Sequence, residues 1–173
     1  MIKKLQKAIY FPVIIILLCG SGSCKMSYSF KGTTIDPRIQ TYAVSNFNNR
    51  AAVVQARLSQ NLTDALKDKV QNQTSLKLVN GFGDVEFSGD ITNYDTRPTA
   101  ITGQETAALN RFTITIRVKY TNSVNPELSF DQSFSRYEDY SSSRNLADVE
   151  EDLSQLILDN IVEDIFNRAF VNW

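Results

Sequence analysis

The stretch RFTITIRVKYT, residues 111–121, alternates apolar and polar side chains at a strict period of two. The apolar positions are Phe112, Ile114, Ile116, Val118 and Tyr120. A helix would scatter these side chains around its axis, whereas a strand places all of them on one face. Most of these residues are β-branched or aromatic, which suits the extended backbone. The pattern therefore predicts a central β-strand with one face in a core and the other in polar surroundings.

The composition of the 173-residue chain limits its size class and its chemistry. A hydrophobic content of 42% supports one domain with a substantial core rather than two domains. Histidine is absent, which removes the commonest general base and the commonest metal ligand. Both cysteines, Cys19 and Cys24, lie near the N-terminus, so the body of the chain has neither a disulfide framework nor a cysteine zinc site. We expect no catalytic residue, no metal and no cofactor.

Residues 1–23 have the pattern of a bacterial export signal. Three lysines form a basic start, an apolar run too short to span a bilayer follows (PVIIILL, residues 12–18), and small residues precede Cys24. This arrangement resembles a lipobox, in which the cysteine is diacylated and becomes the new N-terminus, although Ser21 replaces the usual leucine. Cys19 follows Leu18, which is unfavourable for cleavage, so we predict lipidation at Cys24. An ordinary cleaved signal and a buried free thiol are the alternatives.

The charge of the mature chain and the residues that follow the cysteine bear on its location. Removal of residues 1–23 takes away three lysines and no acid, which leaves a mild negative charge and disfavours nucleic-acid binding. The sequence after Cys24, KMSYS, has neither an early aspartate nor an acidic cluster, which favours the periplasmic side of the outer membrane. We expect residues 24–38 to form a lipidated tether and residues 39–173 to form a single domain.

Beyond the tether, the patterns predict a strand, a helix, a run of strands and a final helix. The predicted strands cover residues 39–47, 76–79, 84–94, 111–121 and 128–136, the helices cover residues 56–73 and 146–170, and a loop covers residues 98–109. The first strand and helix suggest a right-handed β-α-β crossover, with the last helix returning to the same sheet face. The predicted fold class is α+β, a two-layer sandwich with two helices packed on one face of a mixed four- to five-stranded sheet.

Several finer expectations concern element ends and side-chain directions. The turn-forming residues 48–50 should break the first strand. Leu128 and Leu156 should point into the core, and Asn145 should cap the last helix. The acids in the first turns of that helix favour the positive end of its dipole, although a metal or partner patch is the alternative interpretation: Asp148, Glu150, Glu151 and Asp152.

Five runs that cover most of the mature chain carry a family resemblance. They are LSQNLTDALKDK (58–69), GDVEFSGDITNYDTRP (83–98), ETAALNRFTITIRVKYTN (105–122), FSRYEDYSS (134–142) and IVEDIFNRAFVNW (161–173). Together with the lipobox cysteine, these runs resemble the LPS-assembly lipoprotein family LptE, in its Bacteroides-type branch. The resemblance extends in order along essentially the whole mature chain.

The resemblance implies a role in the final step of lipopolysaccharide export. In this family the lipoprotein sits as a plug inside the β-barrel protein LptD, assists assembly of that barrel, and contacts lipopolysaccharide as it reaches the outer leaflet. The partners implied are therefore an LptD-type barrel, lipopolysaccharide and the membrane that holds the lipid anchor. The implied location is the outer membrane, on its periplasmic side and in the barrel lumen, and the implied work is binding rather than catalysis.

The polar side of the central strand and its surroundings supply the candidate ligand contacts. Thr113 and Thr115 share that side with cations, so either it faces solvent or something large and polar covers it. Arginine suits the phosphates of lipid A through its planar fork of donors. The predicted contacts lie in or beside the central hairpin: Arg97, Arg111, Arg117 and Lys119. The alternative is that these are ordinary solubilising charges.

Two other functions stay open at the level of sequence. An enzyme would have to use acids in place of histidine, and none of these acids has a recognisable catalytic spacing: Asp84, Glu86, Asp90 and Glu105. Another outer-membrane binding lipoprotein, such as a subunit of a secretion complex, could share the same α/β sandwich, because a fold does not define a function.

Overall fold

The computed structural model describes residues 35–52, 55, 57–99 and 108–171. The strands are β1 (Thr41–Val44), β2 (Asn48–Asn49), β3 (Lys77–Leu78), β4 (Val85–Thr99), β5 (Leu109–Asn122) and β6 (Phe130–Ser141). The helices are α1 (Leu58–Gln73) and α2 (Glu150–Phe170), and short 3-10 turns cover Pro126–Leu128 and Leu146–Asp148. The predicted α+β class, with two helices packed against a mixed sheet, is confirmed. Cys24 and most of the predicted tether lie outside the described residues.

The sheet combines a parallel half with an antiparallel half. Its main strand order is β3-β1-β4-β5-β6, and the two-residue β2 pairs with β4 off this path. β1 is parallel to β3 on one side and to β4 on the other. Parallel neighbours need a crossover connection, and α1 provides it between β1 and β3. The strands β4, β5 and β6 form an antiparallel meander in which β5 has a partner along both edges.

The core lies between the sheet and the helices, where the alternation in β5 predicts it. Phe112, Ile114, Ile116 and Val118 are fully buried. Leucines spaced four residues apart on α1 meet them from the helix layer, as do the isoleucines of α2 that recur every fourth residue. The buried side chains of the helices include Leu58, Leu62, Leu66 and Val70 of α1 and Ile157, Ile161 and Ile165 of α2. An ion pair between Lys69 and Glu163 joins the two helices on their outer side.

Two leucines that were expected in the core are exposed instead. Leu128 is 39% exposed because Pro126–Leu128 forms a 3-10 turn, so the strand β6 begins only at Phe130. Leu156 is 52% exposed. The buried stripe of α2 passes through Ile157 and Ile161, and a residue one position earlier is rotated by about 100° around a helix of 3.6 residues per turn. Leu156 therefore points to the outer side of the helix layer.

The ends of three elements also differ from the prediction. Asn145 makes no capping hydrogen bond from its side chain, and α2 begins after Val149 without a side-chain cap. Three acids in its first turn are the favourable feature at this end. Residues 48–50 do not simply end the first strand, because the chain returns after Val44 and pairs again with β4 as β2. Helix α1 begins at Leu58, and residues 53, 54 and 56 lie outside the described part.

The hairpin strands are longer than predicted because tertiary pairing extends them. β4 continues to Thr99 and β6 continues to Ser141, so both pair with β5 over most of its length. A register shift between Ile91 and Asn93 turns Tyr94 into the core, where period-two alternation from Ile91 would place it outside. Pro98 fits within β4 because the described part of the sheet has no strand on the other side there. The middle of the predicted 98–109 loop, residues 100–107, lies outside the described residues.

Candidate functional site

The helices cover one face of the sheet, and no described helix covers the opposite face over β4, β5 and β6. We call this surface the open face. Its side chains are Ser88, Asp90, Asn93, Asp95 and Arg97 of β4, Arg111, Thr113, Thr115, Arg117 and Lys119 of β5, and Asp131, Ser133, Ser135, Tyr137 and Asp139 of β6. The set consists of charges, hydroxyls and one amide, with Tyr137 as its aromatic member. The polar side that the β5 alternation predicts thus extends over three strands.

The strand register divides the four predicted ligand residues into two groups. Arg97 lies directly opposite Arg111 in the β4–β5 ladder. Arg117 and Lys119 lie two residues apart on the same side of β5. Six residues separate Arg111 from Arg117 along the strand, which corresponds to about 20 Å at the usual rise per residue. The structure therefore brings the predicted residues together as two pairs rather than as one cluster.

The first pair combines two guanidinium groups with two carboxylates. Arg97 Nε lies 2.5 Å from Asp95 Oδ2. Arg111 donates from Nε and Nη2 to the two oxygens of Asp139, at 2.8 and 2.9 Å, and its guanidinium carbon lies 3.6 Å from the ring centroid of Tyr137. Like charges directly opposite on neighbouring strands repel each other, and the two acids offset that repulsion. A cleft of about 480 Å³ opens here between Arg97 and Arg111.

The second pair lies beside a smaller cleft and has its own acids. Arg117 donates from Nε and Nη2 to the two oxygens of Asp131, at 2.7 and 2.9 Å. Arg50, which follows β2, lies 2.9 Å from Asp90 across the same cleft of about 290 Å³. Lys119 stands opposite Asp131 in the β5–β6 ladder, but within the described part of the chain it forms no ion pair within 4 Å. The second pair therefore includes one cation without a direct carboxylate partner there.

The ion pairs keep these groups charged and bring the face close to electrical balance. The side-chain hydrogen bonds from Arg111 hold the pKa of Asp139 below its usual range, and those from Arg117 do the same for Asp131. The same bonds raise the pKa values of Arg111 and Arg117. Each of these forks uses Nε and Nη2, so the donors on Nη1 stay available for an anion. An incoming phosphate would share an arginine with its carboxylate or displace that carboxylate.

A neutral band of hydroxyl groups separates the two charged pairs. Thr115 and Ser135 share a hydrogen bond of 2.9 Å between their hydroxyl oxygens, and the Thr92 hydroxyl donates to the Thr115 carbonyl oxygen at 3.2 Å. Hydroxyls both donate and accept hydrogen bonds, so this band can bind a polar surface that presents either donors or acceptors. The open face is therefore suited to contact with a hydrated or polar partner rather than to apolar docking.

Two of the four acids considered for an enzyme, Asp84 and Asp90, have structural partners. Asp84 Oδ2 accepts hydrogen bonds from the backbone N–H groups of Gln40 and Thr41, and Asp90 pairs with Arg50. Glu105 lies outside the described residues. Among residues 35–52, 55, 57–99 and 108–171, no group of three or more potential ligands could hold a metal ion.

Sequence reasoning did not identify the acidic partners of the predicted cations. Asp131 and Asp139 lie eight residues apart on β6, so period-two alternation puts both on one face. The antiparallel register then places Asp139 opposite Arg111 and Asp131 opposite Lys119, from where Asp131 reaches Arg117 diagonally. The spacing could have indicated a shared face, but the pairing depends on a register that the sequence does not state.

The model of the family LptE, described as Lipopolysaccharide-assembly, matches residues 39–169. No curated protein matches the chain in sequence. A minor lipoprotein from Acinetobacter baumannii has a similar structure, with a TM-score of 0.50, 11% identity, and coverage of 76% of this chain and 92% of that one. A hypothetical protein from Chlamydia trachomatis superposes with a TM-score of 0.51, 9% identity, and coverage of 78% and 99%.

A homologue of a putative neuraminyllactose-binding hemagglutinin from Helicobacter pylori is also similar, with a TM-score of 0.52, 8% identity, and coverage of 80% and 89%. At these identities the three structures support the fold alone. Neither α1 nor α2 is long and apolar enough to cross a membrane, and the same holds for every helix in the described residues.

Proposed function

The chain belongs to the LptE family of lipopolysaccharide-assembly proteins, and on that basis we propose that it plugs an LptD-type β-barrel of the outer membrane. In this proposal Cys24 carries the lipid anchor, and the domain lies on the periplasmic side of the membrane and in the barrel lumen. There it assists assembly of the barrel and contacts lipopolysaccharide during insertion into the outer leaflet. The observation that carries the proposal is the polar, charge-paired open face of the sheet.

The open face has the chemistry that a barrel lumen requires of a plug. The interior of an outer-membrane barrel is polar, so a plug must replace water with its own hydrogen-bonding groups. Arg111 and Arg117 each carry a carboxylate partner, so covering them does not leave an unpaired buried charge. The hydroxyl band between them can donate to or accept from the barrel wall. An apolar face would instead favour aggregation or a dry protein interface.

The pair of Arg97 and Arg111 is the better of the two predicted sites for a lipid A phosphate. The two guanidinium groups come from opposite positions on neighbouring strands and border the larger cleft. Together they offer the guanidinium donors that their carboxylate partners leave available, from two sides, to the several oxygens of a phosphate. We propose Arg117 and Lys119 as a second contact, about 20 Å further along β5.

Affinity purification of the tagged full-length protein from native membranes should recover a large β-barrel protein. The family assignment and the polar open face both support this expectation. The measurement is identification of the co-purifying proteins after mild detergent extraction, with an untagged strain as the control. A self-assembled ring, or a preparation without any barrel, would favour the secretion-complex alternative.

Replacement of both Arg97 and Arg111 by alanine should weaken lipopolysaccharide binding by the purified mature protein at least about tenfold, because two charge-assisted hydrogen-bond donors are lost together. Added salt should weaken binding by the unchanged protein, since it screens exposed charges. The double substitution is needed because neighbouring cations can compensate for each other. Binding is measured by titration of labelled lipopolysaccharide.

Arg136→Ala is the matched control for this experiment. Arg136 forms the same two-bond fork with a carboxylate, but its partner Asp164 lies on α2, on the other side of the sheet. Its loss should leave lipopolysaccharide affinity unchanged. Dephosphorylated lipid A should abolish most of the difference between the unchanged protein and the double variant. Equal affinities for phosphorylated ligand would show that these arginines are solubilising charges.

A further inference from the structure

Phe82 is the most exposed large hydrophobic side chain of the described residues. It is 94% exposed, whereas the next in order, Leu156, is 52% exposed. Phe82 lies in the connection between β3 and β4, in the sequence NGFGD of residues 80–84. A phenylalanine in this position contributes no burial to the fold, so its apolar surface is available for an interaction elsewhere.

The backbone around Phe82 is held close to the sheet. β3 and β4 lie on opposite sides of β1, so their connection must pass across that strand. Gly83 makes this crossing possible, because a Cβ atom there would lie 3.0 Å from backbone atoms of Tyr42 and Ala43. Gly81 has a φ of +96°, a conformation in which glycine is favoured. The crossing turns the chain sharply on both sides of Phe82.

Asp84 fixes the far end of the same connection. Its Oδ2 atom accepts hydrogen bonds from Gln40 N and Thr41 N at 2.9 Å and from the Thr41 hydroxyl at 2.8 Å. These bonds hold the pKa of the Asp84 carboxyl below its usual range. At the near end, Val79 N donates to the Tyr42 carbonyl oxygen at 2.9 Å. Phe82 is thus presented by a loop tied at both ends, and such preorganisation reduces the entropy lost on binding.

The tie to Gln40 and Thr41 also places Phe82 at the end of the domain where the N-terminal segment enters. The described chain starts at Ile35, and a turn with a hydrogen bond from Ile39 N to the Asp36 carbonyl oxygen leads from there towards β1. Ten residues lie between Cys24 and Ile35 in the sequence. A fully extended chain over the eleven Cα steps from Cys24 to Ile35 reaches at most about 36–40 Å. A lipid on Cys24 would therefore keep this end of the domain within that distance of the bilayer surface.

We propose that Phe82 inserts into the membrane interface and fixes the tether end of the domain against the lipid surface; this inference rests on the lipid anchor at Cys24 in the proposed function. Phenylalanine and leucine at the acyl boundary, with basic residues beside the headgroups, are typical of interfacial contacts. The exposed Lys77 and the 43% exposed Leu78 of β3 precede the same connection. The alternative is that Phe82 enters a pocket of a partner protein. The position of the tether gives that alternative no comparable support.

Fluorescence quenching in vesicles tests this contact with the acylated full-length mature protein. The only tryptophan, Trp173, is first replaced by phenylalanine, and Phe82→Trp then supplies a single probe. The protein is reconstituted in phosphatidylethanolamine–phosphatidylglycerol vesicles with or without brominated acyl chains. Emission of the Phe82→Trp variant should shift to shorter wavelength and be quenched by the brominated lipid. Leu156→Trp in the same background is the control and should stay unquenched, since Leu156 is exposed on the helix layer.

A second measurement follows the strength of the contact. Phe82→Ser should speed spontaneous transfer of the acylated protein between vesicles about tenfold, as loss of one inserted aromatic side chain predicts. Phe82→Leu should restore most of the slow transfer, and the melting temperature should be the same for all three proteins because the Phe82 side chain is 94% exposed. Transfer at the unchanged rate in Phe82→Ser would overturn the proposal.

The remaining outcomes separate this inference from the function on which it rests. In one outcome the protein floats with the vesicles but the Phe82→Trp probe is unquenched. The lipid anchor is then present, and the proposed insertion of Phe82 is overturned. A probe that shifts only after addition of the purified barrel partner would assign Phe82 to a protein pocket and also overturn it. If the protein does not float with the vesicles, both the lipid anchor at Cys24 and the membrane contact of Phe82 are overturned. Lipopolysaccharide binding and barrel co-purification are scored on the same preparations, so a failure of the proposed function appears there independently.

Discussion

Gly89→Ala is expected to lower the free energy of unfolding by more than about 4 kcal/mol, an exceptionally large effect for one methyl group. A Cβ atom at position 89 would lie 2.0 Å from the carbonyl oxygen of Arg117 and 3.0 Å from the ring of Phe47. The first contact is with backbone of the paired strand β5, so no side-chain rotation can relieve it. The strands must separate or Gly89 must change conformation, and either disturbs the ladder at its centre.

Chemical denaturation followed by circular dichroism measures this loss, and Gly81→Ala is its control. Gly81 has a positive φ but nothing within 4 Å of its Cβ position. Its replacement should cost about 1 kcal/mol through backbone conformation alone. A Gly89→Ala variant that loses no more stability than Gly81→Ala would show that β4 and β5 approach each other less closely than described.

Ile116→Ala should cost about 2–5 kcal/mol, because it removes three carbons from the centre of the core and leaves a cavity. Ile116 is fully buried and stands opposite Ile91 on β4 and Phe134 on β6 in the two ladders. Rigid strands on both sides limit how far the surroundings can collapse into the space, which favours the upper part of that range. The slope of the unfolding transition should stay unchanged if the variant keeps the same fold.

Arg117→Ala is the neighbouring control, with its side chain on the open face. The ion pair of Arg117 with Asp131 is largely exposed, and exposed pairs contribute about 0–1 kcal/mol. A loss below half a kcal/mol for Ile116→Ala, or a larger loss for Arg117→Ala than for Ile116→Ala, would mean that the faces of β5 are assigned the wrong way round.

The candidate site was only partly predictable from sequence. Arg111, Arg117 and Lys119 could be placed together on one side of β5, because alternation within a strand is local and needs no partner. The position of Arg97 opposite Arg111 depends on the register of β4. That register includes a shift between Ile91 and Asn93, and a shift by one residue moves every later side chain to the other face. The acidic partners depend in the same way on the register of β6.

The sequence by itself determined the central strand, the two helices and the face of β5 that lies in the core, since hydrophobic periodicity reflects the geometry of each element alone. Its signal pattern and its five family-like runs also indicated the class of function that the family match supports. Only the tertiary structure decided which cations have carboxylate partners, why Tyr94 is buried, and why Gly89 has no room for a side chain. It also showed that Phe82 stands outside the fold. Each of these depends on two segments that are distant in the chain and close in space, and their distance is set by packing and register rather than by local propensity.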